Sequence, residues 1–149
     1  ADEVIAAAFE QYFRRQLAQA FGNVIKNAAE AIEAGEGDVP GVIRITAARD
    51  GDWFRVDVTD NGKGLPRENR QRLLEPYMTT REKGTGLGLA IVKKIVEDHG
   101  GRLELHDAPR DFHQGRGAMI RIILPAAPAS PEADKAAPER ETEKAGHGV

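Results

Sequence analysis

Residues able to do chemistry gather in three places along this chain. Asn23 and Asn27 stand one helical turn apart within a periodic apolar stretch, and Asp60-Asn61-Gly62-Lys63-Gly64 ends a run of alternating residues. Gly84-Thr85-Gly86-Leu87-Gly88-Leu89 opens a second periodic stretch. Carboxamide oxygens are neutral, hard ligands, and one of them with phosphate oxygens and waters makes a reasonable Mg²⁺ shell. An aspartate at a strand end, beside glycines that let a flat ring approach, can accept a hydrogen bond from an exocyclic amine such as that of adenine. Alternating glycines before a helix N-terminus offer unpaired N–H groups and the positive end of a helix dipole, a setting for phosphate. Two of these signals have a plainer counterpart: a solvated helix face for the asparagines, and a flexible loop before an ordinary core helix for the glycines. Together, in this order, the three describe a purine-nucleotide site.

Two familiar phosphate loops are excluded by their letters. A dinucleotide fingerprint, G-x-G-x-x-G, would need glycine at Leu89 or at Ile91, counted from Gly84 or Gly86. A Walker loop would need glycine at Asp57 and Ser or Thr after Gly62-Lys63, where Gly64 stands. If this stretch holds phosphate, it does so within some other nucleotide fold.

The elements that position these residues follow from periodicity. Leu17, Phe21, Val24, Ala28 and Ile32 line one helical face from about Arg14, with Ile25 alongside, and Gly35 and Gly37 end the helix. At roughly 100° per residue, Asn23, Asn27 and Glu30 form a stripe on roughly the opposite face. Residues 4–9 are open to two readings, a short strand or a helical lead-in, of which the strand is held here. Residues 42–48 and 53–59 alternate around the turn Arg49-Asp50-Gly51-Asp52 and predict a hairpin. A short helix is expected over 67–75 and closed by Pro76, followed by a polar lid over 77–83. A long helix runs to about His99 and stops at Gly100-Gly101, and strands are expected over 102–107 and 118–124.

Composition bounds the rest. The 149 residues suffice for one domain with a core, with 40% apolar and 30% charged residues and a net charge of −3. No general attraction to nucleic acid or anionic membrane is expected from that charge. The absence of cysteine excludes a disulfide framework and fits a reducing, cytoplasmic setting. Half of the eight prolines fall at 125, 128, 131 and 138, among Ala, Glu and Lys, so residues 126–149 are expected to be a disordered tail.

The motifs Asn23-x-x-x-Asn27-Ala28, Asp60-x-Gly62-x-Gly64, Gly84-Thr85-Gly86-Leu87-Gly88-Leu89 and Gly115-x-Gly117 resemble the asparagine box and the three glycine boxes of the ATP-binding domain of sensor histidine kinases. That Bergerat-type fold is shared with type II topoisomerases, Hsp90 chaperones and mismatch-repair ATPases. The resemblance covers about residues 14–125, and the run Glu75 to Lys83 is similar to the nitrogen-regulation, NtrY-like branch. It implies an α/β (α+β) sandwich: a mixed, mostly antiparallel sheet with about three helices on one face. The implied cofactors are ATP and Mg²⁺, with Asn27 binding the metal and Asn23 assisting. Asp60 would accept from the adenine amino group in a pocket shaped by Gly62 and Gly64. Glu30, Tyr77, Thr79 and Thr80 would complete the nucleotide surroundings, with Tyr77 anchoring the lid. Gly84, Thr85, Gly86, Leu87, Gly88 and Leu89 would wrap the phosphates, and Arg81 with Lys83 would offset γ-phosphate charge during transfer.

The implied activity is transfer of that phosphate to a histidine on a separate dimerisation module, with a response regulator as the indirect partner. The isolated chain, expected to be monomeric, would lack its phosphoacceptor: His106 lies in an expected strand, His99 at a helix end, His113 in a loop and His147 in the tail. In hydrolytic relatives a glutamate stands where Asn23 is found, and asparagine cannot act as a general base. The rival readings are an ATP-hydrolysing conformational clamp of the same superfold and an anti-sigma-type serine kinase. The chain departs from the family at Glu30, often basic or glutamine, at Ala31, often aromatic, and at Ala118, frequently threonine.

Overall fold

The computed structural model describes residues 2–76 and 88–126. They form α1 (Asp2–Glu33), β1 (Ile43–Asp50), β2 (Trp53–Asp60), a 3-10 turn (Arg70–Leu74), α2 (Gly88–Asp98), β3 (Arg102–Asp107), a second 3-10 turn (His113–Gly115) and β4 (Ala118–Pro125). The four strands make one antiparallel sheet in the order β1-β2-β4-β3. This is the expected α/β sandwich, with every pairing antiparallel among the described residues. The expected lid and all but the last two residues of the phosphate loop, 77–87, lie outside the described residues, as does the tail beyond Ala126.

Strand alternation builds the core. Val58 stands opposite Ile120 and Val56 opposite Ile122 across the β2–β4 pair, while Leu105 and Leu103 meet the same two isoleucines from β3. Residues in register share a face, so this one is apolar across three strands. Ala20, Val24 and Ala28 of α1 and Leu89, Val92, Ile95 and Val96 of α2 close over it. Burying a side chain such as Val58 or Ile120 contributes about 1.5–3 kcal/mol.

Three expectations are corrected. Residues 4–9 are helix, not strand: α1 is one 32-residue helix from Asp2. Ala6, Ala7 and Ala8 favour helix, and no glycine or proline separates them from the periodic stretch that follows. The helix expected over 67–75 is only the 3-10 turn Arg70–Leu74, entered from Asn69 at φ 58° and left through an extended Glu75. The left-handed Asn69 blocks helix from running back toward Pro66, and Glu75, the residue before Pro76, avoids helical geometry. Ile25, assigned to the apolar side of α1, is exposed. Ala31, on another side of the helix, is buried instead.

The opposite face of the sheet carries charge. Asp57 accepts both Nε and Nη2 of Arg121, at 2.8 and 3.1 Å. Next to it, Glu104 accepts from His106 at 2.9 Å and from Arg102 at 2.8 Å. The hydrogen bond from His106, then that from Arg102, holds the Glu104 carboxyl below its ordinary value of 4.5. Arg44 lies over the buried Phe112 ring at 4.7 Å, so the segment before β4 covers part of this face.

At the end of β2 the layers meet main chain to main chain. A Cβ on Gly62 would run into the carbonyl group of Ala31 in the last turn of α1, and the Lys63 N–H donates to that same Ala31 oxygen at 3.0 Å. Gly117, at φ 109°, is seated against the carbonyl of Asp60 in the same way. We therefore expect Gly62→Ala and Gly117→Ala each to cost at least about 2 kcal/mol in urea denaturation. Gly88→Ala, with no described residue near enough to meet the added methyl group, should stay within about 1 kcal/mol of wild type.

A pH prediction follows from Glu104. Because its folded pKa is lowered, its stabilisation is present above about pH 4.5 and is lost as the pH falls through the folded value. Glu104→Gln should lower the melting temperature at pH 7 by an amount worth less than about 1 kcal/mol. The gap to wild type should close on titration to pH 3, and a gap that persists unchanged would assign the effect to packing.

Candidate functional site

Asp60 is the most deeply placed polar residue of the candidate set, 1% exposed at the last position of β2. It pairs with Ile43 on one side and Ala118 on the other, so both neighbouring strands fix its backbone. Its Oδ1 accepts the Gly62 N–H at 2.8 Å, an Asx turn that sets the carboxylate plane. Gly62 and Gly64 keep side chains away from the turn: the first lies on α1, and the second faces the main chain of Gly117.

Sequence reasoning treated Asn61 as a turn letter only. In the fold it is 4% exposed, and its amide is fully engaged with the segment before β1. Oδ1 accepts the Val42 N–H at 2.8 Å, and Nδ2 donates to the Pro40 carbonyl at 3.0 Å. This bidentate grip holds residues 40–42 alongside the Asp60 turn. Its partners lie about twenty positions earlier in the chain, so no local pattern announces it.

The asparagine stripe of α1 is not opposite the packed face, as the periodicity suggested, but flanks it. The buried residues are Ala20, Val24, Ala28 and Ala31, whereas Asn23, Asn27 and Glu30 are half-buried. At about 100° per residue Asn27 sits only about 40° from Ala31 and 60° from Val24. Leu17, Phe21 and Ile32, the large apolar residues that set the direction expected from periodicity, are only partly buried. Asn27 and Glu30 are both engaged by neighbouring groups. Lys63, bonded to Ala31 one turn beyond Asn27, brings the Asp60 turn to the same end of the domain.

The start of α2 lies toward that end as well. His99, just past α2, meets Phe13 edge-on at 5.0 Å. Residues of α1 before Phe13 are exposed and those from Ala20 onward pack, so α2 runs back along the second half of α1. Gly88 is exposed at its first position. Leu89, assigned to the phosphate loop, has its side chain in the core at 7% exposure, so only its main chain can face a ligand. Tyr77, Thr79, Thr80, Arg81, Lys83, Gly84, Thr85, Gly86 and Leu87 lie outside the described residues.

Among the described residues no group of three His, Cys, Asp or Glu side chains could hold a metal by itself. The donor set fits a metal that arrives with phosphate oxygens and takes one carboxamide, from Asn27, rather than a cation caged by protein carboxylates. Two concavities border the described residues elsewhere. One, of about 260 Å³, lies on the charged sheet face among Trp53, Arg55 and Arg121, and another, of about 440 Å³, lies beside Val39 and His113. Neither contains Asp60 or Asn27, and convergent chemistry, not cavity volume, locates the candidate site.

The fold has known counterparts. The family model for histidine kinase-, DNA gyrase B- and HSP90-like ATPases matches residues 13–128. Nitrogen regulation protein NtrY of Azorhizobium caulinodans is 54% identical over 145 residues, 96% of this chain and 18% of that protein. Sporulation kinase C of Bacillus subtilis is 36% identical over 110 residues, 74% of this chain and 23% of that protein. The chain thus spans about a fifth of the length of these curated relatives. Among solved structures, the mycobacterial sensor histidine kinase MprB aligns with a TM-score of 0.64 at 31% identity, covering 76% of this chain and 74% of that one. Full-length ShkA in complex with AMPPNP aligns at 0.59 and 33% identity, covering 78% of this chain and 23% of that one. With a family match over most of its length, a half-identical relative and a shared fold, the chain belongs to the histidine kinase-, DNA gyrase B- and HSP90-like ATPases, in the branch of the sensor histidine kinases.

Proposed function

We propose that this chain binds Mg·ATP and presents the γ-phosphate to a histidine on a separate dimerisation domain, as the catalytic domain of a cytoplasmic part of a two-component sensor kinase. The single observation that carries the reading is Asp60: a carboxylate buried at a strand end, oriented by a main-chain N–H and flanked by glycine backbone. A carboxylate held in a fixed plane beside glycine backbone is a fitting acceptor for the amino group of a planar base.

In this reading Asp60 accepts from the adenine amino group. Asn27 supplies one oxygen to Mg²⁺, which neutralises phosphate charge when bound, and Asn23 lies one turn away as a second candidate ligand. Gly84, Gly86 and Gly88 with the start of α2 wrap the phosphates, and Thr79, Thr80 and Tyr77 belong to the lid. Arg81 and Lys83 offset the charge on the transferring phosphoryl group. Asn23 cannot deprotonate water, so transfer to a histidine is favoured over hydrolysis. A response regulator would take the phosphoryl group afterwards.

Calorimetry tests the binding step. ADP and AMPPNP should bind saturably with Kd below about 1 mM, with AMPPNP gaining from Mg²⁺. Asp60→Asn keeps the volume but loses the charged acceptor and should weaken binding roughly 10- to 100-fold. Asn27→Ala should remove the Mg²⁺ dependence along with most of the affinity. No binding at millimolar nucleotide, or undiminished affinity in both variants, would refute the site.

A second measurement addresses the reaction. With labelled ATP and Mg²⁺ the chain alone should neither label itself nor turn over above a buffer control. Adding a separately produced dimerisation domain should give an acid-labile, base-stable phosphohistidine on that partner. Sustained hydrolysis by the chain alone would instead favour a conformational clamp.

A further inference from the structure

The Asp60 turn is tied to the end of α1 by an arginine that lies between the two glycines before β4. Arg116 Nε donates to the carbonyl of Asn61 at 3.1 Å, and its Nη2 donates to the carbonyl of Glu36 at 2.6 Å. Asn61 follows Asp60 directly, and Glu36 lies just beyond α1. The same Nη2 lies close over Gly35, where a Cβ would come within 3.2 Å. One guanidinium therefore spans the strand-end turn and the helix-end loop, using two donors of its rigid fork on two separate main chains.

The backbone around it is shaped to deliver that side chain. His113, Gln114, Gly115 and Gly117 have φ of 48°, 60°, 82° and 109°. Left-handed geometry at two non-glycine residues persists where surrounding structure holds it, and such strain gathers at functional places. Here it reverses the chain so that Gly117 seats on the Asp60 carbonyl while Arg116 reaches past it to Asn61. Other bonds keep the turn attached: Lys63 N–H to Ala31, and the Asn61 amide to Pro40 and Val42. Loss of the guanidinium would leave the turn seated on α1 but would release its link to the loop that follows the helix, at Glu36.

We propose that Arg116 is a positioning residue for purine selection: without touching the nucleotide, it sets the Asp60 carboxylate relative to α1 and thereby the discrimination for an exocyclic amine at the base. The inference rests on the Asp60 reading above. Lysine cannot replace it fully, because one ammonium on a flexible stem does not serve two divergent carbonyls at once. Methionine keeps only the stem.

The test compares ATP with inosine triphosphate, which carries a 6-oxo group in place of the 6-amino group and the same triphosphate. Affinities of the full chain, of Arg116→Met and of Arg116→Lys are measured by calorimetry with Mg²⁺, with melting temperatures recorded in parallel. Wild type should prefer ATP. Arg116→Met should bind ATP about tenfold more weakly while inosine triphosphate is unchanged, so the ratio collapses by the same factor. Arg116→Lys should lie between them. An unchanged ratio, or a parallel loss of both nucleotides, would overturn the proposal and leave the arginine a structural or phosphate-facing role. If Arg116→Met does not fold, the ratio in Arg116→Lys decides the matter by the same criterion. A wild type that binds neither nucleotide, or does not distinguish them, would instead sink the Asp60 reading and the positioning role with it.

Discussion

The constraint on which the structure depends is a place where peptide groups must touch without side chains between them. The last turn of α1, the turn after β2 and the entry to β4 converge there, with Gly62 on Ala31 and Gly117 on Asp60. The Lys63–Ala31 bond closes the contact. The approach fixes the height of the helix layer over the sheet at one end of the domain. The α1 positions that enter the core include Ala20, Ala28 and Ala31, whose small size suits a helix held this near its neighbours. A methyl group at either glycine would push apart elements whose other contacts are already set by sheet register.

The two aspartates near the end of β2 show how strand alternation divides labour. Asp57 points to the outer face and is satisfied by the fork of Arg121, a side chain from the adjacent strand. Asp60, three positions on, points to the helix side and is oriented by a peptide N–H in its own turn. Both are nearly buried, yet their surroundings differ in kind. A guanidinium fork grips its carboxylate from the neighbouring strand, whereas the Gly62 N–H orients the Asp60 carboxylate from within its own turn. One carboxylate knits the sheet and the other is suited to recognition.

Much of this was legible in the sequence, and the part that was not has a common cause. The hairpin, β3 and β4 followed from alternation, and the end of α2 from Gly100-Gly101, because those signals are local. Asp60, Gly62 and Gly117 were picked out by a family pattern, although their physical reason, a backbone contact across the fold, appears only in three dimensions. Asn61 and Arg116 escaped notice altogether. Their partners are carbonyls and N–H groups of distant residues, which have no letter in the sequence. The start of α1 was misjudged because Val4 and Ile5 suggested a strand, while the three alanines after them carried the helix through. The asparagine stripe was placed too far from the core because large apolar residues outweighed the alanines that pack most deeply.

The strand order has a consequence for how this domain comes into being. The β1–β2 hairpin closes across Gly51-Asp52 and can form locally, so Asp60 is positioned at one strand end early. Its other wall arrives only when β4 inserts between β2 and β3, with residues 61–117 drawn into a closed loop. Such long-range pairing is slow relative to a hairpin, since loop closure is entropically costly before its contacts form. A nascent chain that has not yet made β4 would hold the aspartate without its second neighbouring strand. The surroundings of Asp60 are therefore a property of the finished sheet, and the nucleotide proposed above would, in binding there, also fasten the central strand pair.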